Sequence, residues 1–582
     1  MVFSLSSVVA AWAAYDRRVA LIRLALLCGG LAAALAIALL AGRWGGPALG
    51  WAGVGCGLLA AAIAAYFLLS YDWRAANSAD VTILDRAGFW LQAHRPTFPL
   101  REDVNANVAG AALAVLIPLG WVGVAWAYAY RHRLLLAVAS ASVGLALVAL
   151  ALTSSRGAWL GLAAGLLAAG LVGWSLRDPA ARSRPAALLF AASALLSVGV
   201  FILAVGKPGT LGVAGQLDGL LAALGGASAV NRAALWRDMI GMVGDYRFTG
   251  SGLGSTMMVY SSYALLLHVG YITHAHNLFL QVAVEQGLVA LAAFVALLAA
   301  AFWSLLFASG AGPGPHNIAP VGRDAIARRQ TASAARLAAM AALVALAVHG
   351  MADAGLYVSR LAPVVFLPIS FALGLGWLAA GPRATRASSR GPRAASRFAA
   401  RGWGVPIAAI VAGAALVIAL LPPVRAAFQE NLGAVAQTRA ELSVYSWPDW
   451  PIQDALRRAP GVDLAPAISR YQAALALSPA NAAANRRLGQ IELSRGDYPA
   501  ALAHLESAYL TGPGVIATRR LLGEAYAVAG DAERAAALWR TVDLSPSQVE
   551  GRIWWYDHLG ERAHVAALRQ AAALAAYARR AP

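Results

Sequence analysis

Apolar runs of about 20 residues or more recur along this chain, and each is long enough to cross a hydrocarbon core of roughly 30 Å as a helix. They fall at about 20–41, 48–70, 104–129, 132–152, 157–175, 186–205, 277–307, 335–356, 361–380 and 403–422. Of the 582 residues, 60% are hydrophobic and 13% charged, too little charge to cover the surface of a soluble protein of this length. The expected fold is all-α, a polytopic transmembrane helical bundle of about 10–12 spans. Arg17 and Arg18 precede a long apolar run with no small-residue cleavage site, so the N-terminus does not read as a cleaved signal peptide. Cys28 and Cys56 lie in apolar runs and offer neither a disulfide framework nor a thiolate metal site.

The formal charge of +18 suggests nucleic acid, but its distribution argues against that partner. Residues 424–582 carry 17 Arg against 15 acids, so nearly all the excess belongs to the hydrophobic part. There, positive charge marks cytoplasmic loops and anionic lipid headgroups. Residues 176–185, 309–334 and 381–401 are basic; the last holds Arg383, Arg386, Arg390, Arg393, Arg397 and Arg401 with no acid. Taking these loops as cytoplasmic, alternation puts 72–103, 153–156, 206–276, the turn near Tyr357 and everything after 422 outside. Counting back places the N-terminus outside as well, against Arg17, Arg18 and Arg23. Either residues 1–19 hold an extra short or interfacial element, or an early span is miscounted.

Two domains are expected: a membrane domain over 1–423, with a large extracytoplasmic loop at 206–276, and an extracytoplasmic domain over 424–582. In the second, Leu488-Gly489 and Leu522-Gly523 are 34 residues apart, as are Gly496-Asp497 and Gly530-Asp531, and Ala501 and Ala535. A 34-residue period with small residues at these offsets points to tetratricopeptide helix pairs. Stacked pairs of this kind typically bind protein segments.

Polar groups at the outer ends of spans are the candidates for chemistry, because charge inside a bilayer is costly unless paired or wet. Arg156 lies in the short turn Thr153 to Gly157, against the loop charge bias; snorkelling is the bland alternative. In the outer loop Arg232 and Trp236 share a helical face, and Arg suits phosphate through its planar fork of donors. Arg237 and Arg247 are read first as ion-pair partners of acids such as Asp238 or Asp245. The run "TGSGLGSTM" (249–257) is neither a Walker motif nor a dinucleotide fingerprint, and reads as a tight turn. His274 and His276 flank Ala275 where the loop enters a span, followed by Asn277. No acid or third histidine accompanies them at metal-ligand spacing, so acid–base work is expected rather than metal binding. His349 and Asp353 are four apart and suit either a functional pair or an interhelical hydrogen bond.

The stretch Asn231 to Leu291 resembles the O-antigen ligase/polymerase superfamily of bacterial membrane glycan transferases. His276-Asn277, nine residues and Gly287 match the ligase signature, which closes on Gly, Thr or Tyr where this chain has Ala290. Arg156 matches the arginine of that family's outer SRG turn, and Arg232 the arginine that opens its large outer loop. Asn107-Val108-Ala109-Gly110 to Pro118 resembles an early span of the family, and the likeness runs from about 100 to 380. The resemblance implies a GT-C-like bundle in the bacterial inner membrane and a metal-independent, inverting glycosyl transfer without cofactor. The donor would be a glycan on undecaprenyl diphosphate. Arg156 and Arg232 would hold the diphosphate, and His276 would deprotonate the acceptor, with Asn277, His274, His349, Asp353 and Arg237 lining the substrate. A polymerase of O-antigen or exopolysaccharide ranks first, then a lipid A core ligase or a protein O-oligosaccharyltransferase. The repeats would serve a protein partner or acceptor. A transporter or a scaffold is the alternative from another class, and each leaves Arg156, Arg232 and His276 unexplained together.

Overall fold

A computed structural model describes residues 1–76, 83–96, 104–175, 227–264, 272–307, 323–380, 419–445, 452–542 and 544–580. Among these the regular elements are all helical. The expected span at 186–205, nearly all of that at 403–422, and the basic loops 176–185 and 381–401 lie outside the described residues.

In chain order the membrane part contains α1 (Val2–Ala13), α2 (Arg17–Trp44), α3 (Gly46–Ser70), α4 (Ala106–Ala129), α5 (Arg133–Leu152), α6 (Arg156–Ser175), α7 (Ala227–Asp245), α8 (Thr256–Tyr263), α9 (Leu278–Phe307), α10 (Arg323–Ala352) and α11 (Leu367–Ala380). Seven of these, α2 to α6 with α9 and α10, are long and apolar enough to cross a membrane. The expected span at 361–380 is instead a 3-10 turn, Ala362–Phe366, leading into the shorter α11. Pro363 and Pro368 each lack the amide that would carry one continuous helix through this stretch. The span expected to reach 356 ends at Ala352, and a short separate helix, Gly355–Val358, follows. At the N-terminus α1 is the extra element the loop charges called for. Its 12 residues extend about 18 Å, short of a full crossing.

The spans alternate between two faces. On one, the Arg23 guanidinium donates to the Tyr357 carbonyl, Ser155 Oγ to Asn107 Oδ1, and Trp73 Nε1 to the Leu152 carbonyl. On the other, Gly46 at the start of α3 lies against Arg328 near the start of α10, and Trp377 of α11 lies against Gly42 of α2. The second face gathers Arg43, Arg131, Arg133, Arg323, Arg328 and Arg329. Arg17, Arg18 and Arg23 begin α2 on the first face, so counting spans, not local charge, orients the N-terminus relative to the rest.

The C-terminal helices are α12 (Pro422–Leu442), α13 (Ala465–Leu477), α14 (Ala482–Arg495), α15 (Tyr498–Thr511), α16 (Ile516–Val528), α17 (Ala532–Arg540), α18 (Pro546–His558) and α19 (Arg562–Arg580). α14 and α16 begin 34 residues apart, and so do α15 and α17. The Gly-Asp pairs explain the period. Gly496 and Gly530, at φ +88° and +90°, follow the first helix of each hairpin in a conformation other residues rarely adopt. Asp497 and Asp531 then cap the second helix by accepting from the amides of Ala500 and Arg534.

Candidate active site

The histidine turn is built from both sides. Asn277 caps α9: its Oδ1 accepts from Leu280 N at 2.9 Å and its Nδ2 donates to the Met351 carbonyl at 3.2 Å. Ala275 N donates to Gln281 Oε1 at 2.7 Å, and the Ala275 carbonyl accepts from Trp236 Nε1 at 2.7 Å. Gln281 in turn donates to Thr256 Oγ1. So pinned, His276 adopts φ +49°, a strained conformation for a side chain branched at Cγ. Ser154, two residues before Arg156, is held at φ +51°.

Asp353 organises the pair. Its Oδ2 lies 3.4 Å from His274 Nε2 and 3.3 Å from His276 Nδ1, and its Oδ1 accepts from Gly355 N at 2.5 Å. The two imidazole centroids are 4.2 Å apart, and Thr273 Oγ1 lies 2.8 Å from His274 Nδ1. Burial raises the Asp353 pKa, but the hydrogen bonds to His274 and His276 and their charge outweigh it, holding the carboxyl well below the usual range. The expected His349–Asp353 pair gives way to this arrangement. The chain leaves α10 at Ala352, so Asp353 no longer shares a helical face with His349 and turns to the histidines 77 and 79 residues earlier.

His349 is buried and sits over α6: a Cβ at Gly157, next to Arg156, would come within 3.4 Å of its ring. The charge of Arg232 reaches His349, and that of His349 reaches Asp353. Arg156, exposed at the start of α6, and Arg232, half-buried on α7, therefore border the same cluster. Arg237 stands elsewhere. Five residues from Arg232 it faces about 140° away, and it is exposed. The acids offered to it are taken: Asp238 faces Arg520, and Asp245 faces Arg486 and Arg487. Arg247 pairs with Glu430 at 3.7 Å rather than with either. Asn277 is buried with both ends of its amide spent on the turn.

Among the described residues, His274, His276 and Asp353 bring three ligand-capable atoms within 4.8 Å of one another, a grouping that local spacing concealed. Sequence reasoning also missed Gln281, Glu285 and the break in α9. At Gly287 (φ +81°, ψ 177°) α9 opens, and the glycine turn at 249–255 enters the gap. Ser251 N and Gly252 N donate to the carbonyls of Val284 and Glu285, and Leu288 N donates to the Arg247 carbonyl. The Glu285 carboxylate accepts from Gly254 N and Thr256 Oγ1 at 3.0 Å. Buried Gln and Glu in an otherwise apolar run were the available signal.

Residues 141–295 match the family described as O-Antigen ligase. The membrane part of this chain belongs to the O-antigen ligase superfamily, and it acts in membrane glycan processing of the ligase and polymerase type. The matched stretch holds Arg156, Arg232, His274, His276, Asn277 and Gly287, while His349 and Asp353 follow it. No curated protein and no solved structure matches the chain.

Proposed function

We propose that the chain transfers a glycan from undecaprenyl diphosphate to an acceptor hydroxyl on the extracytoplasmic face, as a polymerase of O-antigen or exopolysaccharide. The observation that carries this reading is the convergence of His276, bonded to Asp353, with the Arg232 and Arg156 borders of one cluster. The two guanidiniums suit a diphosphate and the charge that develops on it as the glycosidic bond breaks. Asp353 orients His276 through Nδ1, leaving Nε2 to take the acceptor proton. Direct attack by that hydroxyl inverts the anomeric carbon. The arginines gathered on the opposite face support an outward site by the positive-inside rule. On this reading residues 424–582 form an extracytoplasmic tetratricopeptide-like domain in the bacterial inner membrane protein, supported by its 34-residue hairpins. Ligation to lipid A core or to a protein hydroxyl uses the same chemistry and differs only in the acceptor.

Substituting His276→Ala in the full chain should lower transfer by about 10²- to 10⁴-fold with expression intact. An equally active His276→Gln would refute proton transfer and leave a positioning role. The convergence of His274, His276 and Asp353 favours one second reading, a bound divalent cation. Turnover that survives prolonged chelation supports the base, whereas loss restored by added zinc supports the metal.

A further inference from the structure

The C-terminal hairpins turn the first helix of each unit toward one segment of the membrane domain. Asp245, the last residue of α7, is buried between Arg486 and Arg487 of α14, the latter at 2.8 Å. Arg487 also donates to the Tyr246 hydroxyl at 3.1 Å, which meets Thr438 Oγ1 of α12. From α12, Asn431 accepts from the amides of Phe248 and Thr249 and donates to Thr249 Oγ1. From α16, Arg520 donates to the Ala264 carbonyl at 3.2 Å and lies 3.5 Å from Asp238. Trp236, Met239 and Met242 of α7 pack in one apolar cluster with Val435 and Ala517.

Arrays of stacked helix pairs offer such a face to their partners. Here its occupant is this chain's own α7. We propose that the C-terminal array is an internal brace, anchored at Asp245–Arg486–Arg487, that sets the positions of Arg232 and Trp236. Arg232 and Asp245 lie on one rigid helix about 20 Å apart, so a tilt at one end displaces the other. Trp236 carries the same tilt to the histidine turn through the Ala275 carbonyl. A separate protein partner would have to meet the array on another face. The brace rests on the functional reading above for the role of Arg232, and Asp245, Arg486 and Arg487 act as positioning residues.

The test is hydrogen exchange and donor kinetics on the full chain in lipid nanodiscs. Asp245→Asn leaves two buried guanidiniums without their carboxylate. It should raise exchange across 227–245 about tenfold and lower kcat by about tenfold, with exchange of α4 unchanged. Asp245→Glu should restore both. If Asp245→Asn fails to fold, Arg520→Met at the edge of the array carries the same measurement, with a smaller rise. Unchanged exchange in 227–245 overturns the proposal, and so does raised exchange with wild-type kcat. Full turnover in Arg232→Ala would overturn the functional reading instead, and the exchange of 227–245 alone would then decide the brace.

Discussion

Single residues at this site carry constraints that their neighbours impose. Gly287 is the plainest case. At φ +81° and ψ 177° it occupies a region essentially reserved for glycine, and a Cβ there would lie 2.8 Å from the Arg247 carbonyl oxygen and 2.9 Å from that of Phe248. Gly287→Ala must either close the break in α9 or expel the 249–255 turn. Either event removes Ser251 and Gly252 from the Val284 and Glu285 carbonyls. Transfer should fall at least about tenfold, with a melting temperature lowered by several degrees; an unchanged melting temperature and full turnover would contradict this account of the break. The signature spacing from His276 to Gly287 was visible in the sequence, but its reason was not, because the partner of the break lies some 35 residues earlier. Asp353 illustrates the same limit. Its bond to His276 joins residues 77 apart, so no local pattern could pair them, and the nearer partner His349 looked the better candidate.

At the scale of elements, length and hydropathy were enough for the spans α2 to α6 and α9, because a run of apolar residues has no other stable setting. They did not reveal α1, too short to register as a span, or the interruption between Ala352 and Leu367, which proline and tertiary contacts decide together. The 34-residue hairpins were legible because Gly and Asp punctuate each unit. Which face of them is occupied was not, since Arg486, Arg487 and Arg520 read locally as solvated charges. The junction they form has a pH dependence. Glu430 of α12 is fully buried. Burial first and then the charge of Asp245 raise its pKa well above the usual carboxyl value; Arg247, 3.7 Å away and 37% exposed, offsets only part. A raised folded-state pKa gives stability that is present below the unfolded value, about 4.3, and lost as pH rises through the folded one. The junction should therefore weaken toward alkaline pH. Between about pH 6 and pH 9 the melting temperature of the wild-type chain should fall more than that of Glu430→Gln, whose side chain keeps the neutral shape. Parallel curves for the two would refute a protonated Glu430.

For the whole molecule, the two ends of the chain converge on the face that carries the site. Leu253 N donates to the Ala10 carbonyl of α1, and Arg439 of α12 lies over the Trp12 ring at 4.5 Å. The N-terminal helix, the glycine turn and the C-terminal array thus surround the helix that presents Arg232 and the turn that presents His276. This arrangement suits an enzyme whose donor arrives in the membrane and whose catalytic groups must be held at its surface. The decisive measurement is turnover by the purified full chain in vesicles holding an undecaprenyl-diphosphate-linked glycan as the only donor. The expected result is release of undecaprenyl diphosphate with transfer of its glycan, reduced at least about a hundredfold in His276→Ala and in Arg232→Ala. A lipid-linked glycan left intact by the wild-type chain, or consumed equally by both variants, would contradict the assignment.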